Sequence, residues 1–190
     1  QASNQIALNL SSMTFMVAMG FSVVAMIRVG EMLGKRDLIN LKRIAYSLFL
    51  IILIFDIFFC FIFLLFNEYL PWIYLSKTGD KSMSDVFQVI EISSKLILIS
   101  GFFQIFDGLQ SVVLGALRGI QDVLIPTVLI FIAYILVGLP VSYYLGFNTH
   151  LGVVGIWIGL LFGLLTSSFF LLLRFSYDLN LMYKKSNLYL

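Results

Sequence analysis

Gly101-Phe-Phe-Gln-Ile-Phe-Asp-Gly-Leu-Gln-Ser-Val-Val-Leu-Gly-Ala-Leu-Arg-Gly119 is an apolar run that carries a single carboxylate, Asp107. Wound as a helix at about 100° per residue, it and the residues before it bring Ser93, Ser100, Gln104, Gln110 and Ser111 within about 60° of Asp107 on one face. A carboxylate at membrane depth costs about 2.5–3.5 kcal/mol on insertion scales. Such a group is retained either because it holds an ion, a proton or a substrate, or because a neighbouring helix satisfies it. The accompanying polar stripe favours the first reading and points to a water-accessible cavity. Asp107, Gln104, Gln110 and Ser111 are therefore the candidate cation-binding residues, with Asp107 the candidate ligand of a Na⁺.

The surroundings of that run set the class. Hydrophobic residues make up 61% of the chain and charged ones 12%, and the mean hydropathy is +1.02. Soluble domains carry roughly 25% charged residues, so the chain reads as an integral membrane protein. A net charge of +2 is too small and scattered to point to nucleic acid. Cys60 is the lone cysteine and His150 the lone histidine. Cys60 lies in an apolar run and suits a small buried position; His150 has no second metal-ligand type beside it. No nucleophile–base pair or metal-ligand spacing is evident, which speaks against an enzyme. The start, Gln-Ala-Ser-Asn, has neither Met nor a basic region before its first long apolar stretch, and reads as a cut in a larger protein.

Spanning about 30 Å of hydrocarbon takes about 20 apolar residues in a helix. Five stretches qualify: about 5–29, 44–66, 85–118, 123–146 and 152–175. The expected fold class is all-α, a polytopic bundle of five transmembrane helices. Arg28, Lys35, Arg36, Lys42, Arg43, Arg118, Arg174, Lys184 and Lys185 fall on one side of the membrane, and Lys77 and Lys81 on the other, diluted by Glu68, Asp80 and Asp85. The positive-inside rule makes the first side cytoplasmic and places the C-terminus there. Tyr69, Trp72, Tyr74, Tyr143 and Tyr144 would anchor the outer interface, and Tyr177, Tyr183 and Tyr189 the inner one.

Small residues mark expected helix contacts. Gly155, Gly159, Gly163 and Ser167 recur every four residues in the fifth stretch, as do Gly101, Gly108 and Gly115 every seven in the third, with Gly119 beyond. Pro126 suits a first helical turn, and Pro140 after Gly138 is expected to bend the fourth helix. The first stretch has a stripe of its own, Gln5, Asn9, Ser12, Met16 and Met19. Amides giving way to adaptable methionines suit a cavity for varied lipophilic substrates, and ordinary helix packing is the alternative. Asp56, amid Ile, Leu and Phe, reads first as a protonated carboxyl donating to a neighbouring helix, with a cation site as the alternative. Glu91 and Lys95, four apart, read first as a local ion pair near the headgroups, with a role in an outer gate as the alternative.

Several segments carry a family resemblance. Gln5-Ile-Ala-Leu-Asn9 with Arg28-Val-Gly-Glu-Met-Leu-Gly34 resembles the eighth transmembrane segment of the multidrug and toxic compound extrusion (MATE) family. Phe106-Asp-Gly-Leu-Gln110, Leu117-Arg-Gly-Ile-Gln-Asp122 and Pro126 resemble its tenth segment and the following loop. Tyr134-Ile-Leu-Val-Gly-Leu-Pro140 and Gly152-Val-Val-Gly-Ile-Trp-Ile-Gly159 resemble its last two helices. The resemblance implies a twelve-helix protein of two six-helix lobes, with this chain as helices eight to twelve of the C-terminal lobe. It implies a secondary active antiporter in the plasma (inner) membrane that exports organic cations, drugs or other toxic compounds by alternating access, coupled to Na⁺ or H⁺ and needing no other cofactor. The implied partners are a small organic substrate, the bilayer, and the N-terminal lobe with the preceding helix. In one branch an acidic residue of the tenth segment helps bind the cation, and Asp107 holds that position; its carboxylate partner there comes from the seventh segment. Three positions depart from the pattern. Asn4 stands where many relatives have His, Gln121 replaces a usual Gly, and Phe103 stands where some have Tyr, which removes a hydroxyl near the site. Phe103 is grouped with Gln5, Asn9, Ser12 and Met16 as substrate-facing. The rival readings are a lipid-linked oligosaccharide flippase of the same superfamily, disfavoured because no Lys or Arg lies on either stripe, and a non-transporting remnant or interaction subunit.

Overall fold

A computed structural model describes residues 2–67, 69–70 and 83–188. All five expected spans are helical, and no strand occurs among the described residues. They are α1 (Ala2–Gly34), α2 (Leu38–Phe66), α3 (Met83–Gly119), α4 (Leu124–Phe147) and α5 (Val153–Leu188). In hydrocarbon every backbone N–H and C=O needs an internal partner, which the helix supplies. Trp72, Tyr74, Lys77, Lys81, Glu68, Asp80 and Tyr189 lie outside the described residues, as do the side chains of Asp85 and Glu91.

The helices outrun the apolar windows that mark them. Thirty-six residues in α5 reach about 54 Å at about 1.5 Å each, well beyond about 30 Å of hydrocarbon. Its end passes 175 because Arg174 is satisfied on the helix: Nη2 lies 3.1 Å from Asp178 Oδ1, and Nε donates to Asp122 Oδ2 at 2.7 Å. The second helix starts at Leu38, not near 44, because Asp37 caps it. Asp37 Oδ1 accepts from the Asn40 N–H at 3.0 Å and Oδ2 from its amide at 2.6 Å. These bonds from Asn40 hold the exposed Asp37 carboxyl below its usual range. Their stabilisation is present above the unfolded-state pKa and fades as the pH falls through the folded one. Hydropathy alone had excluded 38–43 because of Lys42 and Arg43, which the helix carries on exposed positions.

Both α1 and α3 end in the same way. Asp37 N–H bonds Met32 O and Arg36 N–H bonds Leu33 O; Asp122 N–H bonds Leu117 O and Gln121 N–H bonds Arg118 O. Each closure needs a left-handed residue, here Arg36 (φ 58°) and Gln121 (φ 66°). Gln121 thus occupies a left-handed backbone conformation that Gly adopts at less cost.

Pro140 acts one turn earlier than a simple bend. Residues Ala133–Gly138 form a π-helical segment inside α4, and the Leu139 N–H reaches back five residues to Tyr134 O. Pro140 has no N–H to donate, so the widened turn absorbs the interruption. Pro126 is buried in the first turn, as expected.

α3 is the hub, packing against α1, α2 and α5. Its buried Val112, Val113, Ala116 and Leu117 meet Ala25 and Val29 of α1, Ile52 of α2 and Phe175 of α5 in one core. Rings of Tyr46, Phe49 and Phe175 meet edge to face, at 5.4 Å for the closest pair. The α3 glycines split between neighbours: Gly101 lies against buried Cys60 and Gly108 against Asp56, whereas Gly115 and Gly119 admit the α1 backbone at Ser22 and Met26. The α5 ridge serves α4: Gly155 faces Leu145, Gly159 faces Ser142 and Gly163 faces Gly138.

Candidate functional site

Two helices bring acidic groups to one crevice. Asp107 of α3 and Asp56 of α2 line it together with Gln104, Gly108 and Phe103 of α3 and Ser11, Thr14, Phe15 and Ala18 of α1. Asp56 is 1% exposed, and its Oδ2 has no hydrogen-bond partner. Room for this carboxyl comes from Gly108, where any Cβ would overlap it. Gln104, 5% exposed, donates its amide to the Asp56 backbone carbonyl at 3.3 Å, which leaves its Oε1 without a partner. The two carboxyls are close enough to interact electrostatically. No Lys, Arg or His lines the crevice among the described residues.

Donation from the Asp56 carboxyl to a neighbouring helix, the first reading of this residue, is not seen at Oδ2, and the crevice suits the alternative of a cation site. What bonds across to α3 is its backbone carbonyl, and Oδ2, packed against Gly108, has no hydrogen-bond partner. Periodicity within α2 could not reveal this, because the register between two helices is not written in either. The hint available was Gly108, the missing side chain next to Asp107.

The rest of the α3 stripe is mostly packed between helices, not lined along an open cavity. Ser93 and Ser100 are fully buried, and Ser100 shares a 2.7 Å hydrogen bond with Ser11 of α1. Gln110 Oε1 accepts from the Ser167 hydroxyl of α5. Ser111 offers its backbone carbonyl to Ser22 Oγ at 2.6 Å. Of the four proposed cation residues, the crevice brings together Asp107 and Gln104; Gln110 and Ser111 lie outside its lining. Tyr134, which sequence reasoning passed over, comes from the π segment of α4 and lies near Gln110 and within electrostatic range of Asp107. It returns a phenol to the neighbourhood that Phe103 lacks.

The α1 stripe lies on another surface. Gln5, Asn9, Ser12, Met16 and Met19 are all exposed, Met16 at 74%. Gln5 donates to Asn9 Oδ1 at 3.4 Å and Ser12 to Asn9 O at 2.8 Å. Phe103 does not join them. It lines a cleft of about 470 Å³ between α1, α3 and α5, with Asn4, Leu8, Ser11 and Trp157. There its ring centroid is 5.7 Å from that of Trp157, and Trp157 Nε1 donates to Asn4 Oδ1 at 2.9 Å. Asn4 thus pins α1 to α5.

Similarity to known proteins covers nearly all of this architecture. The profile of the MatE family matches residues 2–144. A probable multidrug resistance protein NorM of Agrobacterium fabrum is 34% identical over 174 residues, covering 92% of this chain and 37% of that protein. The multidrug resistance protein MdtK of Yersinia pseudotuberculosis is 33% identical over 177 residues, covering 91% and 37%. The chain therefore spans little more than a third of the length of these relatives. Among solved structures, the eukaryotic MATE transporter AtDTX14 superposes with a TM-score of 0.81 at 19% identity, over 97% of this chain and 40% of that one. That likeness shows the fold.

Proposed function

The chain belongs to the MatE family, and from that premise we propose that it forms helices eight to twelve, most of the C-terminal lobe, of a cation-coupled exporter of organic cations or other toxic compounds. The observation that carries this reading is Asp107, a carboxylate at membrane depth in a crevice whose lining, among the described residues, holds no basic group. Buried charge is tolerated when it is paired or holds an ion, and a crevice this narrow suits an ion or proton and not an organic substrate. Asp107 would take up Na⁺ or H⁺ in one state and release it in the other, which demands different affinities in the two. The open α1 face, with its amides and methionines, is suited to line the substrate path against the other lobe. A pyrophosphate-bearing lipid would call for cationic residues there, and the α1 stripe has none.

Counterflow by the complete transporter in liposomes tests the reading, with Na⁺ and pH gradients imposed separately. Either gradient is expected to drive organic-cation movement; movement indifferent to both refutes coupling.

Orientation follows from the charge bias. The C-terminal end of α5 and the α1–α2 turn are assigned to the cytoplasm of the inner membrane. Single cysteines at Lys35 and Lys185 should resist an impermeant thiol reagent in intact cells, and one at His150 should react. Labelling of position 35 from outside would invert the topology.

A further inference from the structure

Buried oxygen acceptors without donors need a partner. Asp56 Oδ2 and Gln104 Oε1 are both such atoms, from different helices, and both belong to residues that line the Asp107 crevice. We propose that Asp56 supplies the second carboxylate of a Na⁺ site, with Asp107 and the Gln104 side-chain oxygen as its co-ligands. The inference rests on the cation-coupled reading above and extends it: α2 adds a carboxylate of its own to the Asp107 site that the family resemblance implies.

The chemistry favours a small hard cation over a shared proton. A proton turns one oxygen into one donor and can satisfy one further acceptor. A hard cation draws several oxygens to itself at once, carboxylate and amide carbonyl alike. Groups facing the crevice from each packed helix agree with this. α1 brings the hydroxyls of Ser11 and Thr14, α2 brings Asp56, and α3 brings Gln104 and Asp107. Tyr134 of α4 lies within electrostatic range of Asp107. The Thr14 hydroxyl already donates to Ser11 O at 2.9 Å, and the Ser11 hydroxyl donates to Ala7 O at 2.9 Å and bonds Ser100 at 2.7 Å, so each has only a lone pair left to offer. Gly108 keeps the space that the Asp56 carboxyl fills. A residue with any side chain there would push that carboxyl out of the crevice.

The purified complete transporter is treated with dicyclohexylcarbodiimide, which labels carboxyls in apolar surroundings, in NaCl or in choline chloride of equal ionic strength. Labelled peptides are mapped by mass spectrometry, and ²²Na⁺ binding is measured in parallel on the parent and on Asp56→Asn. Na⁺ is expected to protect Asp56 and Asp107 at the same half-protecting concentration, and Asp56→Asn to weaken ²²Na⁺ binding at least tenfold. Protection needs no variant, so it decides the matter even if Asp56→Asn fails to fold. Protection of Asp107 without Asp56, or unchanged ²²Na⁺ binding by Asp56→Asn, overturns this inference and leaves Asp107 as a cation residue. If Na⁺ protects neither while a pH gradient still drives export, a proton is the occupant, and this inference falls while coupled export stands. If neither gradient drives export, both fall.

Discussion

Replacing Asp107 by Asn in the complete transporter should abolish ion-driven efflux and leave the amount of folded protein nearly unchanged. Asn keeps the shape of the side chain and removes its charge. Losing one partner of a desolvated charge interaction costs about 2–5 kcal/mol, and each 1.4 kcal/mol is about tenfold in affinity, so coupled transport should fall by about thirtyfold or more. Folding should be spared, because a neutral amide is cheaper to bury than a carboxylate that lacks a basic partner. Efflux from liposomes under imposed gradients, beside the size-exclusion profile of the same sample, separates the two effects. Ion-driven efflux at the parent rate would remove Asp107 from the coupling site.

Asp107 could be found from sequence because it breaks an apolar run on its own helix. Its setting could not. The stripe of Ser93, Ser100, Gln104, Gln110 and Ser111 shares one face, as a period of about 3.6 residues requires. Periodicity does not say what that face meets, and it meets α1, α2 and α5 in turn. Asp56 has no sequence neighbour in the site and enters it through packing at Gly108. Tyr134 is aimed by a π segment whose cause, Pro140, was visible but whose local geometry was not. Helix existence was legible, because about 20 apolar residues have few other structures open to them in lipid. Helix ends were not, because they depend on the Asp37 cap and the Arg174–Asp122–Asp178 network. The small-residue ridge of α5 was readable for a simpler reason: the absence of side chains every four residues permits one arrangement, close backbone approach.

That ridge sets the second large effect. Gly159→Leu is expected to cause severe loss of folded transporter. A Cβ at Gly159 would overlap the backbone N and Cα of Ser142 on α4, atoms that no rotamer change can move aside. The helices would have to separate, which also breaks the 3.1 Å bond from Ser142 Oγ to Ile156 O and disturbs the contacts at Gly155 and Gly163 on either side. Overpacking costs about 1–3 kcal/mol where side chains can yield. Here they cannot, so the upper end of that range or beyond is expected, against a total stability of about 5–15 kcal/mol. Gly20 is the comparison: it also lies on a spanning helix, but among the described residues of this chain a Cβ there meets nothing within 4 Å. Gly20→Leu carries the same gain in bulk and helix propensity without the collision. Folded yield and the thermal midpoint, read by size exclusion after heating, should drop for Gly159→Leu and stay near the parent for Gly20→Leu. Equal behaviour of the two variants would mean that α4 and α5 are not held backbone to backbone at this point.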